Sequence, residues 1–242
     1  MGRTALLDGV TLSVPPGARL LVVSRPPESA SLLLRVLAGL ARVDHGDVEM
    51  AGTRDRSRAG WARRVAYVGP KPGFYPWMTP REVLSLAAEL QGLAELDAKR
   101  RVADLAERMG VAPVLDQPTS RGGPPVQQRV ALAAALVGDP EVLLLDEPLR
   151  ALDPDERLRL LRFPESRGAV LLASRYPASE AGLCAHVALV AEGRLVLLAP
   201  VSRLADYGLP LSLQGIEALA AASRQGHEAL RSGAPRVAMP GR

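Results

Sequence analysis

The sequence is poor in the residues on which several large classes of protein depend. It has one cysteine, Cys184, in 242 residues, which excludes a disulfide-based scaffold. Its longest apolar stretches, such as Val130 to Val137, are much shorter than the roughly 20 residues of a membrane-spanning helix. No charged segment followed by an apolar one opens the chain. These absences predict a cytoplasmic protein that needs a partner for any work at a membrane.

Aromatic residues are also scarce, at 3%, and only two of the 30 basic residues are lysines. The arginines are scattered along the chain. Without aromatic side chains among them, they form no stacking platform for single-stranded nucleic acid. A nucleic-acid partner is therefore not expected.

Apolar residues, in contrast, are abundant. They make up 48% of the chain, which is enough for one large core in a protein of this length. We therefore expect one α/β unit with inserted subdomains rather than two independent domains.

The clearest chemical pattern lies at residues 142–153. An apolar run from Val142 to Leu145 is followed directly by Asp146 and Glu147, and Asp153 comes six residues later. Such a run is typical of a strand inside a parallel sheet whose two faces are covered. The two carboxylates then emerge at the carboxyl edge of the sheet, where open α/β folds bind ligands. Two acids at that place indicate a divalent cation and a water molecule to be activated.

A second interpretation of the same residues is purely structural. An ordinary strand that ends before a helix cap gives a similar pattern, and Asp146 and Glu147 then only form hydrogen bonds to neighbouring loops. The sequence leaves both interpretations open.

The rest of the chain predicts alternating strands and helices. Thr79, Pro80 and Glu82 suit the start of a helix, as N-cap, first helical residue and third helical residue. Strands are predicted at residues 5–14, 18–24, 48–50, 65–68, 141–145, 168–174 and 186–198. Helices are predicted at residues 31–40, 126–137 and 154–162, and two more between 79 and 110, with a loop at 117–125. The tail from residue 208 is expected to hold one weak helix followed by disorder.

Six segments carry a more specific signal in their order along the chain. They are residues 5–18, 33–40, 75–82, 128–133, 151–154 and 187–195. In this order they resemble parts of the ATP-binding subunits of ABC transporters: the opening strands, the helix after the phosphate loop, the start of the helical subdomain, the signature helix, the D-loop and the closing hairpin. The resemblance extends over nearly all of residues 4–200.

This resemblance implies a fold, cofactors and partners. The fold class is α/β, P-loop NTPase-like (RecA-like), with a parallel-sheet core, an antiparallel β subdomain and an inserted α-helical subdomain at about residues 79–138. The ATP-binding domain then covers residues 1–207, and an extension covers 208–242. The implied cofactors are ATP and Mg²⁺. The implied partners are a membrane permease subunit and a second ATP-binding subunit, identical or different, which place the chain on the inner face of the cell membrane.

The family's functional positions fall on named residues of this chain. Glu147 corresponds to the general base, Asp146 and Ser31 to ligands of Mg²⁺, and Asp153 to the D-loop. The phosphate-loop positions are Ser24, Arg25, Pro26, Pro27, Glu28, Ser29, Ala30, Ser31 and Leu32.

The phosphate loop departs from the family pattern G-x-x-x-x-G-K-[ST] at nearly every defining position. Serines replace both glycines, and Ala30 replaces the lysine that supplies an ammonium group. Pro26 and Pro27 have no N–H to donate, and Glu28 adds a negative charge where phosphates bind. Only Ser31 keeps the family's residue type. The pattern therefore predicts a loop that has lost tight triphosphate binding.

Three further positions depart in the same way. The glutamine that touches Mg²⁺ in the family corresponds to Pro70, which cannot coordinate. The switch histidine corresponds to Arg175, which stays charged and cannot handle protons. The signature corresponds to Gly122, Gly123, Pro124, Pro125 and Val126, or in a shifted alignment to Ser120, Arg121 and Gly122. In either alignment the prolines are expected to disrupt the N-terminus of the signature helix.

The sequence thus supports three hypotheses. The first is a regulatory or structural subunit coupled to a permease, with impaired or absent ATP binding and hydrolysis. The second is an active ATPase in which Arg25, Arg121 or Arg175 replaces the lysine, because arginine binds phosphate well. The third is a scaffold without a transport function. If a permease is the partner, its contact is expected at residues 73–78, although burial of these aromatics against the chain itself is an equal alternative.

Overall fold

The computed structural model describes residues 5–50, 58–162, 168–180 and 182–231. Its centre is a six-stranded sheet in the order β2-β3-β4-β1-β5-β6. The strands are β1 (Arg19–Arg25), β2 (Val65–Val68), β3 (Val142–Asp146), β4 (Ala169–Ala173), β5 (His186–Ala191) and β6 (Arg194–Pro200). The first five are parallel, and β6 pairs antiparallel with β5. The predicted parallel-sheet core is confirmed.

Helices cover both faces of this sheet. They are α1 (Glu28–Leu37), α2 (Arg58–Arg64), α3 (Pro80–Gln91), α4 (Glu95–Arg108), α5 (Gly123–Leu136), α6 (Pro154–Arg162), α7 (Ser202–Asp206) and α8 (Leu213–Arg231). Helices α3, α4 and α5 form an inserted helical part between β2 and β3, as predicted. None of the helices in the described ranges has the length and apolar character that crossing a membrane requires.

The alternation of side chains along the strands divides the core into two parts. Leu20 and Val22 of β1 face α1, whereas Leu21 and Val23 face the opposite side. Successive side chains of a strand point to opposite faces of a sheet, and both faces are apolar here. This arrangement is required of a parallel sheet that is covered on both sides.

The start of α3 follows the sequence prediction closely. The Thr79 side chain accepts a hydrogen bond from the backbone N–H of Glu82, and the Glu82 carboxylate accepts one from the N–H of Thr79. This reciprocal pair is a capping box, with Pro80 at the first helical position. The prediction is confirmed because all of its signals lie within four residues.

Two predicted strands are absent from the described residues. Residues 5–14 form no strand, and at 48–50 only an isolated bridge at Met50 remains. In the first segment the N–H of Asp8 bonds to the carbonyl of Gly193, and apolar side chains such as Val10 and Leu12 pack on the core beside α1. The alternating pattern there reflects packing on the core rather than membership of the sheet.

Two helix starts also differ from the prediction. Helix α1 begins at Glu28 rather than residue 31, which shortens the loop after β1. Helix α5 begins at Gly123 rather than residue 126, and a 3₁₀ turn at Thr119–Gly122 precedes it, so much of the predicted loop at 117–125 is helical. Pro124 and Pro125 do not interrupt α5, because the first helical turn needs no intrahelical N–H donor.

The tail contains a helix that packs on the core. Helix α8 has 19 residues, and its Ile216, Leu219 and Ala220 are buried in the same core cluster as the sheet. Tertiary packing of these side chains stabilises the helix, which the sequence alone indicates only weakly. The predicted disorder at its far end falls on residues outside those described. The boundary at residue 207 between the ATP-binding domain and the C-terminal extension stays a prediction.

Candidate functional site

The carboxyl ends of the parallel strands bring the sequence-predicted residues to one edge of the sheet. Asp146 is in register with Ala173 of β4, and Ala173 is in register with Val22 of β1. The loops that follow these strands border a small cavity of about 40 Å³. Its lining is Val23, Ser24, Pro27, Ala30, Ser31, Asp146, Glu147, Ala173, Ser174, Arg175, Pro177 and Leu213. A cavity of this size holds a few water molecules.

The loop after β1 is closed by hydrogen bonds within itself. The buried Ser24 hydroxyl donates to the carbonyl of Pro26, at 2.7 Å, and accepts from the N–H of Ala30, at 2.9 Å. The N–H of Ser29 donates to the carbonyl of Pro26, at 3.1 Å. Pro26 and Pro27 have no N–H. Four positions of this loop therefore offer no free backbone donor to an anion.

Ser29 and Ser31 are tied to other parts of the chain. The fully buried Ser29 hydroxyl donates to the carbonyl of Leu6, at 2.8 Å, which fastens the loop to the N-terminal segment. The Ser31 hydroxyl donates to Oδ1 of Asp146, at 2.8 Å. The structure thus brings together the two residues predicted to hold Mg²⁺, and they are bonded to each other.

Asp146 has a second partner that the sequence does not reveal. Oδ2 of Asp146 accepts a hydrogen bond from the hydroxyl of Tyr67, at 2.9 Å. Asp146 is buried, so both its carboxylate oxygens are satisfied by hydroxyl groups in a place that water scarcely reaches. Burial, and then the hydrogen bond to Asp146, raise the pKa of Tyr67 far above its ordinary value, so Tyr67 remains a donor.

Glu147 is likewise engaged through both carboxylate oxygens. Oε1 accepts from the backbone N–H of Arg175, at 2.5 Å, and Oε2 forms an ion pair with Nε of Arg150, at 2.6 Å. Its φ of 50° places Glu147 in the left-handed region, which is costly for a non-glycine residue. The ion pair and the backbone bond hold this conformation.

Arg150 connects Glu147 to a buried ionic cluster. One of its terminal nitrogens donates to the Ser174 hydroxyl, at 2.6 Å, and to Oε1 of Glu180, at 3.1 Å. The same Glu180 oxygen accepts from Arg157, whose side chain is 4% exposed. Arg150 and Arg157 thus balance the charges of Glu147 and Glu180. The other Glu180 oxygen, Oε2, is buried and has no hydrogen-bond partner in the part of the chain that the structure describes.

The other predicted positions lie around this cavity or apart from it. Pro70 is exposed in the turn after β2, and Asp153 caps α6 by accepting from the N–H of Glu156, at 2.9 Å. Arg175 lines the cavity just after the end of β4. Helix α5, which begins with the predicted signature residues, touches the same edge through Gln128, whose side-chain oxygen accepts from the N–H of Ala151.

Several residues that shape the site are missed by sequence reasoning. They are Tyr67, Arg150, Arg157, Glu180, Leu213 and Glu217, the last of which forms an ion pair with Arg25. The tyrosine is 79 residues from Asp146 in the chain, so only the register of β2 against β3 shows that they meet. Arg150 lies three residues after Glu147 and offers a weak local signal. No pattern points to the others.

Comparisons with known proteins identify relatives of this chain. The family model described as "ABC transporter" matches residues 7–150. The chain is 32% identical over 202 residues to the aliphatic sulfonates import ATP-binding protein SsuB 1 of Mesorhizobium japonicum, covering 81% of this chain and 74% of that protein. It is 33% identical to the sn-glycerol-3-phosphate import ATP-binding protein UgpC 3 of Rhizobium johnstonii, over 66% of this chain. The chain spans 46% of the length of that second relative.

Solved structures support the fold. A structure described as the ATP-binding subunit of an ABC transporter superposes with a TM-score of 0.76, at 24% identity, over 90% of this chain and 93% of the other. CbiO1 from Clostridium perfringens, described as part of the ABC transporter complex cbiONQ, gives a TM-score of 0.73 over 83% of this chain and 84% of the other, also at 24% identity. The predicted P-loop NTPase fold class is confirmed, and with the match to the family model it follows that the chain belongs to the ABC transporter ATP-binding family.

Proposed function

We propose that this chain is an ATP-binding-subunit homologue that couples to a membrane permease in a structural or regulatory role and binds Mg²⁺-ATP weakly or not at all. The family uses ATP with Mg²⁺, and its import proteins are the relatives named above. The proposal applies equally to a dimer with an identical or with a different ATP-binding subunit.

The observation that carries the proposal is the closed loop at Ser24 to Ala30. A phosphate-binding loop works because successive backbone N–H groups point at the phosphates. Here two of the donors are missing at Pro26 and Pro27, and those of Ser29 and Ala30 already bond within the loop. The lysine that contacts the phosphates in the family pattern is Ala30, which is buried.

The carboxylates support the same proposal. Asp146 and Glu147 occupy the family's positions for the Mg²⁺ ligand and the general base. Hydroxyl groups of Ser31 and Tyr67 take both oxygens of Asp146, and Arg150 neutralises Glu147. A cation at this place has to compete with the Tyr67 hydroxyl for Oδ2 of Asp146, and a base has to be released from an arginine. The residues present therefore fit a structural role better than they fit Mg²⁺-ATP.

The test is a thermal-shift measurement with Mg²⁺-ATP on the purified chain. A site filled at 100 times its dissociation constant stabilises a fold by about 2.7 kcal/mol, which is about 5–11 °C in melting temperature for a domain of this size. We expect a shift below about 1 °C at millimolar Mg²⁺-ATP, since [L]/Kd then stays small. A relative with the full phosphate loop serves as positive control. A shift of several degrees for this chain contradicts the proposal.

One observation favours the second candidate function, an active ATPase that uses arginine. Arg175 lines the cavity, its side chain is exposed, and among the described residues its guanidinium has no ion-pair partner. Arg25, by contrast, is paired with Glu217. If Mg²⁺-ATP does stabilise the chain, loss of that effect in Arg175→Ala, with Arg121→Ala unchanged, supports this second function.

The permease contact is proposed at the loop before α3. Tyr75 and Trp77 are 62% and 66% exposed, and their rings stack with centroids 4.3 Å apart. Phe74 and Met78 instead pack against the chain's own core. In the predicted segment, residues 73–78, Phe74 and Met78 thus anchor the chain to its own core, whereas Tyr75 and Trp77 face outward. An exposed, rigid aromatic pair suits the centre of a protein interface.

Replacing Trp77 by alanine is expected to weaken association with the permease by about 30-fold or more, since aromatic anchors at interfaces contribute about 2 kcal/mol or more. The fold should lose only about 0.5–1.5 kcal/mol, from the lost ring stacking. The measurement is the share of the chain that sediments with the membrane fraction of its own cells. Tyr207→Ala is the control. Tyr207 is also exposed, at 51%, but it follows α7 directly and is not part of the loop before α3. Equal sedimentation of both variants contradicts the assignment.

A further inference from the structure

We infer that α8 is a strap that holds the degenerate phosphate loop closed. The geometry of the strap is independent of nucleotide chemistry. The consequence is that α8 makes an autoinhibitory contact, which helps to keep the site closed to nucleotide. This consequence rests on the function proposed above. Three features carry the inference: a side chain in the cavity, an ion pair to the loop, and a buried anchor.

The first feature is Leu213, the first residue of α8. It lines the same small cavity as Pro27, Ala30 and Ser31, although it lies more than 180 residues further along the chain. Its side chain is half-buried. An apolar side chain beside Asp146 and Ser31 excludes water and any anion from the volume that it fills.

The second feature is an ion pair that joins the strap to the loop itself. Nε of Arg25, the last residue of β1, lies 2.6 Å from Oε1 of Glu217, and a terminal nitrogen of Arg25 donates to Oε2 at 3.2 Å. Glu217 stands one helical turn after Leu213, so both side chains lie on the same face of α8. The pair also occupies an arginine that could otherwise bind phosphate.

The third feature fixes the strap in place. Ile216, Leu219 and Ala220 are 0%, 1% and 0% exposed and belong to the main core cluster. The first turn of α8 is fastened as well, because the Ser212 hydroxyl accepts from the N–H of Gly215. A Cβ atom at Gly215 would stand 2.1 Å from the carbonyl oxygen of Pro210, so only glycine allows this close approach.

These features assign two roles to one helix. Ile216, Leu219 and Ala220 make α8 a permanent part of the core, whereas the side chains of Leu213 and Glu217 make contacts that can be released without unfolding. Leu213 and Glu217 hold the loop in the arrangement in which its N–H groups bond internally. Release of these two side-chain contacts gives the loop room to open, and their formation disfavours binding of any phosphate.

Hydrogen exchange of the loop amides tests the strap without nucleotide. The probes are the N–H groups of Ser29 and Ala30, which are both bonded within the loop. Glu217→Gln is expected to speed their exchange by about twofold to fivefold, the range of an exposed ion pair. Leu213→Ala is expected to speed it by roughly fivefold to tenfold, because a half-buried leucine side chain is truncated. The double variant should give at least about tenfold.

Matched controls separate the strap from general loosening of the helix. Gln214→Ala changes the exposed neighbour of Leu213, and Arg224→Gln removes a charge from the exposed part of α8. Neither should alter exchange at Ser29 or Ala30. Gly215→Ala keeps both Leu213 and Glu217 but forces the first turn away from Pro210, so it should speed exchange like Leu213→Ala. Unchanged loop exchange in the Leu213→Ala, Glu217→Gln double variant overturns the strap.

The outcome is distinguishable from failure of the proposed function. If the wild-type chain is stabilised by Mg²⁺-ATP, the proposed function fails, while faster loop exchange in the double variant still supports the strap. If neither wild type nor double variant responds to Mg²⁺-ATP and the exchange rates are equal, the proposed function stands and the strap is wrong.

Discussion

Replacing Arg157 by methionine is expected to destabilise the fold by about 3–5 kcal/mol, because it leaves the charge of Glu180 buried and only partly compensated. Both side chains of this pair are nearly inaccessible, at 4% and 0%. Arg157 also donates to the carbonyl of Pro148, at 3.0 Å, which fixes the turn after Glu147. Because Arg150 still contacts Glu180 in this variant, we expect a loss of stability near the lower end of this range.

The measurement is thermal or urea unfolding of the variant beside wild type. A loss of 3–5 kcal/mol corresponds to about 6–20 °C in melting temperature for a domain of this size. Arg159→Met is the matched control, because Arg159 is 61% exposed and its nearest carboxylate contact is 3.8 Å long. It should cost less than about 0.5 kcal/mol. The double variant Arg157→Met, Glu180→Leu should recover most of the loss. A cost below about 1 kcal/mol for Arg157→Met means that Arg150 alone compensates Glu180.

Features that depend on a few adjacent residues could be predicted from the sequence. The apolar run before Asp146 fixes β3 and the edge at which the carboxylates emerge. The start of α3 follows from Thr79, Pro80 and Glu82 in the same way. Local signals of this kind need no knowledge of what packs against them, and the predicted parallel core follows from several of them in order.

The partners of the carboxylates could not be predicted, because they come from distant parts of the chain. Ser31 and Asp146 are 115 residues apart, and Arg150 meets Glu180 across 30. The two interpretations of Asp146 and Glu147, as an active centre or as structural acids, differ only in these partners. The hydrogen bonds of both residues to neighbouring loops support the structural interpretation, which is part of the function proposed above.

In the N-terminal segment and in α8, the local sequence signal does not match the structure. Residues 5–14 alternate like a strand, but their alternation serves packing on the core. The sequence after residue 208 shows rising glycine, serine and arginine content, yet Ile216 and Leu219 are among the most buried side chains. In both segments tertiary packing decides the structure and overrides a weak local signal.

Rebuilding the phosphate loop is expected to have the second large effect, a gain of nucleotide binding, but only if the whole loop is changed. Ala30→Lys with Glu28→Gly supplies the ammonium group and removes the nearby negative charge. It leaves Pro26 and Pro27 without donors, and the Ser24 hydroxyl still bonds to the N–H of residue 30. We expect this pair of changes to give no detectable thermal shift with Mg²⁺-ATP.

A complete rebuild restores the donors and frees the carboxylate. It combines Ser24→Gly, Pro26→Ser, Pro27→Gly, Glu28→Ser, Ser29→Gly and Ala30→Lys with Tyr67→Phe, and it keeps Ser31. The glycines let the backbone N–H groups point at phosphates, and loss of the Tyr67 hydroxyl frees Oδ2 of Asp146 for a cation. If millimolar Mg²⁺-ATP is then about 100 times the dissociation constant, the fold gains about 2.7 kcal/mol, or about 5–11 °C.

The control is the same rebuild with Ala30 retained. It has the donors but no ammonium group, so its shift with Mg²⁺-ATP should be much smaller. Adding Leu213→Ala to the complete rebuild should raise the shift further, because the phosphates then meet no side chain from α8. If the complete rebuild folds and shows no shift in either background, the loop is not a phosphate loop with substituted residues, and the alignment of Ser24 to Ser31 with that motif is wrong. If the two-residue change alone gives the full shift, the internal hydrogen bonds of the loop are too weak to account for the state of the site.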